Sequence, residues 1–121
     1  MDWDNYARYF KESEFADDHG DCWMEESHMD RLMIARSIAN TPFSITSGCR
    51  NLTQNKLAGG KDTSDHLTGE GSDISVAESW KRFIVVNALL KAGFTRIGIG
   101  KDFIHAGSGS ATIHGVIWLY D

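Results

Sequence analysis

The chain has 121 residues, 41% of them hydrophobic, 4 tryptophans, 2 cysteines and a formal net charge of −5. That suits a single globular domain over residues 1–121 with a modest core. It argues against nucleic acid as a partner, since no Lys/Arg cluster offers the basic footprint that phosphate rewards, and against a membrane, since no run is apolar enough to span one.

Residues 6 to 15 open on an aromatic cluster, Tyr6, Tyr9, Phe10 and Phe15, expected to form a short helical or irregular segment packed on the body. A polar loop, Asp17 to Asp21, follows. From Glu25 to Ala39, Met29, Leu32, Ala35 and Ile38 recur at helical spacing, and Asn40 and Pro42 supply the stop. Phe43-Ser44-Ile45-Thr46 alternates apolar with polar, which predicts a strand delivering Arg50 beyond its end. A loop through Gly59-Gly60 leads to a turn at His66, and Asp73 to Val76 reads as the next strand. Ser75 and Glu78 have capping-box spacing, predicting a helix from Val76 to Lys91 with Phe83, Val86, Leu89 and Leu90 as its apolar face. Ile97–Ile99, Phe103–Ala106 and Val116–Tyr120 supply three more strands. The expected class is α+β, a small, mostly antiparallel sheet flanked by helices. Trp3, Trp23, Trp80 and Trp118 are assigned to the core.

The chemistry concentrates in Ser64-Asp65-His66-Leu67-Thr68-Gly69-Glu70-Gly71-Ser72-Asp73. His66 and Asp73 stand seven positions apart across two glycines, so the backbone can bend and bring both side chains to one point. A second imidazole, His105, follows in Phe103-Ile104-His105-Ala106. Two imidazoles and one carboxylate leave a fourth position open, the pattern of a catalytic rather than a structural zinc site. Such a site acidifies a bound water and polarises an amide carbonyl, and a nearby carboxylate must take the water's proton. Glu70 reads as a solvent-facing turn residue. His19, Cys22 and His28 match no strong zinc spacing and read as polar loop residues, and His114 as a surface histidine. Cys22 and Cys49 are expected as free thiols, Cys49 as a small buried side chain. Gly98-Ile99-Gly100-Lys101 lacks the later residues of a phosphate-binding loop.

Ser47-Gly48-Cys49-Arg50, Asn55, Gly59-Gly60, the Ser64 to Asp73 run and Phe103-Ile104-His105 together resemble the peptidase M15 family. These are zinc D-alanyl-D-alanine carboxypeptidases and related peptidoglycan peptidases. More narrowly they resemble its short phage and prophage branch, down to the closing Val116-Ile117-Trp118-Leu119-Tyr120. The resemblance implies the M15, hedgehog-like fold, with His66, Asp73 and His105 as zinc ligands. It further implies that Arg50 steadies a substrate carbonyl or carboxylate, that Ser64 lies close to substrate, and that Asp102, three residues before His105, is the general base. Strict strand alternation sets Asp102 and His105 on opposite faces, so that role requires the chain to turn at Lys101-Asp102. In one departure, relatives in this branch often carry an aspartate where this chain has Gly107.

The function so implied is hydrolysis of a peptide bond in peptidoglycan stem peptides by a zinc peptidase, either a D-Ala-D-Ala carboxypeptidase or an L-Ala-D-Glu-type endopeptidase. The alternative, motivated by Gly107, is a weak or inactive zinc-containing module of the same fold that binds wall or forms part of a virion. A monomer is expected. Met1-Asp2-Trp3-Asp4-Asn5 has no apolar signal region. Synthesis in the cytoplasm, with action on the wall after lysis or from a phage particle, is therefore the expected localisation.

Overall fold

A computed structural model describes residues 1–120. Five strands form one sheet: β1 (Ile45–Ser47), β2 (Gly71–Ser75), β3 (Arg96–Ile99), β4 (Phe103–Gly107) and β5 (Val116–Leu119), in the order β1-β2-β4-β3-β5. The β1–β2, β2–β4 and β3–β4 pairings are antiparallel, and β3–β5 is parallel. With helices α1 (Glu26–Ala39), α2 (Leu52–Leu57) and α3 (Ser79–Lys91), this is the expected α+β fold with a mostly antiparallel sheet.

Alternation along the strands separates two faces. Ile74, Ile97, Ile104 and Ala106 are fully buried in one cluster with Met29, Leu32 and Ala35 of α1 and Val85 and Leu89 of α3. Burying each isoleucine, leucine, valine or methionine side chain among them stabilises the fold by roughly 1.5–3 kcal/mol. The opposite parity carries Asp73 and His105, directly paired across β2 and β4. Packing the helices on one face therefore commits the polar residues to the other.

Several helix details differ from expectation. Helix α1 ends as expected, with Asn40 in the left-handed conformation (φ 49°) donating its N–H to Arg36. Its buried stripe, however, is His28, Met29, Leu32 and Ala35, and Ile38 is exposed because it lies about 60° past the edge of that stripe. Helix α3 starts at Ser79 rather than Val76, because Val76 is still held in the sheet region, donating its N–H to the Asp102 carbonyl at 2.9 Å. Its buried residues are Val85, Ala88 and Leu89. Phe83 and Leu90 lie about 150° round the helix from Val85 and are exposed, as is Trp80; neither Trp80 nor Trp23, which is also exposed, is a core residue. Helix α2 was expected as loop. Its capping box joins Asn51 and Gln54 through backbone-to-side-chain bonds of 2.9 and 3.3 Å, while Leu52 and Leu57 remain exposed and leave no apolar stripe to betray it. No described helix is long and apolar enough to cross a membrane.

The N-terminal segment buttresses the turn that carries Arg50. Tyr6, Phe10 and Phe15 are buried with Cys49, and the Phe15 carbonyl accepts the Cys49 N–H at 2.8 Å. Gly48 lies so close that a Cβ there would sit 2.7 Å from the Phe15 Cα and 2.8 Å from its carbonyl oxygen. Backbone cannot yield as a side chain does, so Gly48→Ala is expected to destabilise the protein by about 1–3 kcal/mol. An unchanged midpoint in urea denaturation would contradict this packing.

Candidate active site

One row of residues crosses the sheet as Ser47, Asp73, His105, Gly98 and Trp118, each paired with the next on the neighbouring strand. Gly98 leaves room for the aromatic rings beside it, because a Cβ there would lie 2.7 Å from the Trp118 ring. The Trp118 and His105 ring centres are 5.6 Å apart. His66 enters from above on a 3-10 turn, Asp65–Thr68, capped by Ser64, whose hydroxyl accepts the His66 N–H at 3.3 Å. Gly69 closes that turn at φ 73°, a conformation glycine adopts without strain.

His66, Asp73 and His105 converge, all buried, with one donor atom from each lying within 4.8 Å of the others. His66 Nε2 is 3.3 Å and His105 Nδ1 is 2.9 Å from Asp73 Oδ1. The outer nitrogens are engaged elsewhere: His66 Nδ1 lies 2.7 Å from the Gly48 carbonyl and His105 Nε2 lies 2.8 Å from Asp65 Oδ2. The inner nitrogens and the Asp73 carboxylate thus face one point.

These groups form the floor of a cleft of about 720 Å³ whose walls include Arg50, Lys61, Ser64, Arg96, Phe103, Trp118 and Tyr120. Arg50 donates from Nη2 to Asp73 Oδ2 at 3.1 Å and from Nε to the Ser47 hydroxyl at 3.1 Å. Its first partner is therefore the site's own carboxylate. Ser64 lines the cleft and caps the His66 turn.

Asp102 does not reach the cleft. The β3–β4 connection does turn at Lys101-Asp102, with the Gly100 N–H bonded to the Phe103 carbonyl at 2.9 Å, yet Asp102 sits exposed at that hairpin and outside the cleft lining. Strand parity prevails: Phe103 and His105 face the cleft and Asp102 does not. Among the described residues, the carboxylates that line the cleft are Asp65 and Asp73.

Sequence reasoning passed over three groups here. Asp65 is buried and contacts His105, but an aspartate between a capping serine and a histidine carries no motif of its own. Arg96, which opens β3, bonds Asp65 Oδ2 through Nε at 2.8 Å and stacks over Trp118. His28, assigned to a polar loop, is fully buried in α1 between the Ser108 and Ser72 hydroxyls at 2.6 and 2.7 Å. His19 is largely exposed, so His19, Cys22 and His28 do not assemble a second centre. Instead Asp17, His19 and Asp21 approach one another in the first loop, where Asp17 Oδ1 accepts the His19 and Asp21 N–H groups and organises the turn. Burial pushes the Cys49 thiol up to about 12, which leaves it unreactive.

A family model described as Peptidase M15 matches residues 8–107. The chain belongs to the peptidase M15 family. A search of curated proteins finds no match. M15 members are zinc peptidases, and the donor set fits that ion. Two imidazoles and a carboxylate converge with an open side toward the cleft, and the outer nitrogen of each imidazole is bonded to an oxygen, the arrangement that orients metal-binding histidines.

Titration follows from the same contacts. Burial alone would raise the Asp73 pKa, but hydrogen bonds from His105 and His66 overturn it and hold the carboxyl below its ordinary range. Burial would lower that of His105, but its bonds to Asp65 and Asp73 raise it above 6.5. Burial, with the nearby charge of His105, drives His28 down to about 3, and the charge of Asp65 only partly opposes it. The signs differ for stability in the metal-free protein. His105 contributes fully below pH 6.5 and loses its contribution as pH rises through its higher folded value. His28 stays neutral while the unfolded chain takes up a proton, costing about 1.4 kcal/mol per pH unit below 6.5. Asp73 adds a further loss below 3.8. The melting temperature of metal-free protein is therefore expected to peak near pH 6.5, and His28→Gln should flatten the acid limb. A metal-free protein most stable at pH 4 would contradict this balance.

Proposed function

We infer that the chain is a zinc-dependent peptidase acting on the stem peptides of peptidoglycan. The observation that carries this reading is the convergence of His66 Nε2, Asp73 and His105 Nδ1 on the floor of an open cleft. Zinc held there would supply a Lewis acid and a water acidified to near-neutral pKa.

The protein's own groups give the cleft its substrate bias. Although the chain carries a net charge of −5, Arg50, Lys61 and Arg96 line the walls. The two carboxylates within are buried and paired with Arg50 and Arg96, so among the described lining residues Lys61 carries the cationic charge that no carboxylate meets. Stem peptides carry free carboxylates, and the planar fork of Arg50 suits such a group or a developing oxyanion. Burial and the charge of Asp73 push the Tyr120 phenol up to about 12, so it stays protonated and serves as a neutral donor. Phe103 and Trp118 provide apolar walls. Action on the wall would follow lysis or delivery in a phage particle.

A second reading, a zinc-containing module with weak or no hydrolysis, is favoured by one observation. Both carboxylates of the cleft are already hydrogen-bonded on each oxygen, and Asp102 lies outside it. Among the described residues, no lining carboxylate is free to take a proton.

Mass spectrometry of muropeptides incubated with zinc-loaded protein separates the readings. Loss of one terminal D-alanine is the carboxypeptidase outcome, and scission between L-alanine and D-glutamate the endopeptidase outcome. Zinc bound without any product favours the module. His66→Ala is expected to abolish zinc binding and cleavage together, and a metal-free variant that still cleaves would end the zinc reading.

A further inference from the structure

We propose that Asp65 is the positioning residue that selects which nitrogen of His105 faces the metal. The proposal rests on the zinc reading above and extends it to a residue outside the three-donor set.

A neutral imidazole carries its proton on either ring nitrogen, and the bond made by one nitrogen decides which remains free to coordinate. His105 has a carboxylate at each end: Asp73 Oδ1 lies 2.9 Å from Nδ1 and Asp65 Oδ2 lies 2.8 Å from Nε2. Asp73 also belongs to the donor set, and Asp65 does not. Asp65 therefore accepts the Nε2 proton and leaves Nδ1 as the donor. His66 is set the opposite way, since the Gly48 carbonyl holds its Nδ1 and Nε2 faces Asp73.

Asp65 is built for a fixed task. A carboxylate this buried, with a side chain 1% exposed, is tolerated only when its oxygens are satisfied. Besides His105, Asp65 accepts from Arg96 Nε at 2.8 Å, from the Gly109 N–H at 3.1 Å and from the Thr112 hydroxyl at 3.0 Å. Glycine occupies the two positions that border this carboxylate: a Cβ at Gly107 would collide with Oδ2, and one at Gly109 with Oδ1. The 3-10 turn that presents His66 thereby also sets the ring of His105, through adjacent residues of the chain.

The test is made on the full chain with zinc alone as probe. Zinc affinity, measured by competition with a chromophoric chelator, is expected to fall about tenfold to a hundredfold in Asp65→Asn. Returning a carboxylate from the strand, as Asp65→Ser with Gly107→Asp, should recover most of that loss, a rescue that mere loosening of the turn would not produce. In zinc-loaded wild type, ring-nitrogen NMR should find His105 coordinated through Nδ1 with its proton on Nε2, and His66 the reverse. Equal zinc affinity in wild type and Asp65→Asn would overturn the role of Asp65 alone. A wild type that binds no zinc would overturn the metal reading beneath it. If Asp65→Asn does not fold, the wild-type spectrum decides: His105 bound through Nε2 overturns the proposal.

Discussion

The pairing of Asp73 with His105 across β2 and β4 is the constraint on which the site depends. Side chains alternate along a strand, so slipping this register by one residue would turn one of the two toward the helices. Ile74 and Ile104, paired one step along and fully buried, make such a slip costly. The apolar core thus acts as the ruler for the polar face on the other side of the sheet. The same lock reaches across the sheet, where Gly98 pairs with His105 and Trp118 pairs with Gly98.

Burying this much charge requires complete compensation. Asp65 and Asp73 are each buried, and each is met by an arginine and a histidine: Arg96 and His105 for Asp65, Arg50 and the two site histidines for Asp73. Breaking one member of such a network leaves an unpaired charge in a low dielectric, which costs far more than a surface pair contributes. On the helix face the solution is neutral. His28 bridges two serine hydroxyls, Ser72 on the strand beside Asp73 and Ser108 just after β4, and thereby ties α1 to both walls of the site.

The donor set and the strands bearing it were legible because they rest on local signals. His66 and Asp73 are bound by a glycine-punctuated turn, and β4 by an apolar run around His105. What stayed hidden depends on tertiary position. Helix α2 has no buried stripe, and Phe83 looks apolar yet faces solvent because it lies on the side of α3 opposite the buried Val85. Asp102 shares its spacing to His105 with a family base, but spacing along a strand does not decide which side of a hairpin tip faces the cleft. Arg96 and Asp65 are 31 residues apart, a distance over which no motif reads.

Gly107 takes on a different meaning in this light. Read along the chain, it is a missing aspartate and an argument for lost activity. In space, the position a side chain at 107 would fill is held by the Asp65 carboxylate. Two carboxylates cannot share that volume without collision and like-charge repulsion, so Gly107 is the residue that lets Asp65 reach His105. Glycine at 107 and aspartate at 65 form one coupled solution, and the site keeps a buried carboxylate beside His105. The case for weakened catalysis then rests not on Gly107 but on the saturation of that carboxylate. With both oxygens bonded and its pKa held low by His105 and Arg96 against the effect of burial, Asp65 is suited to orient a ring rather than to accept a proton.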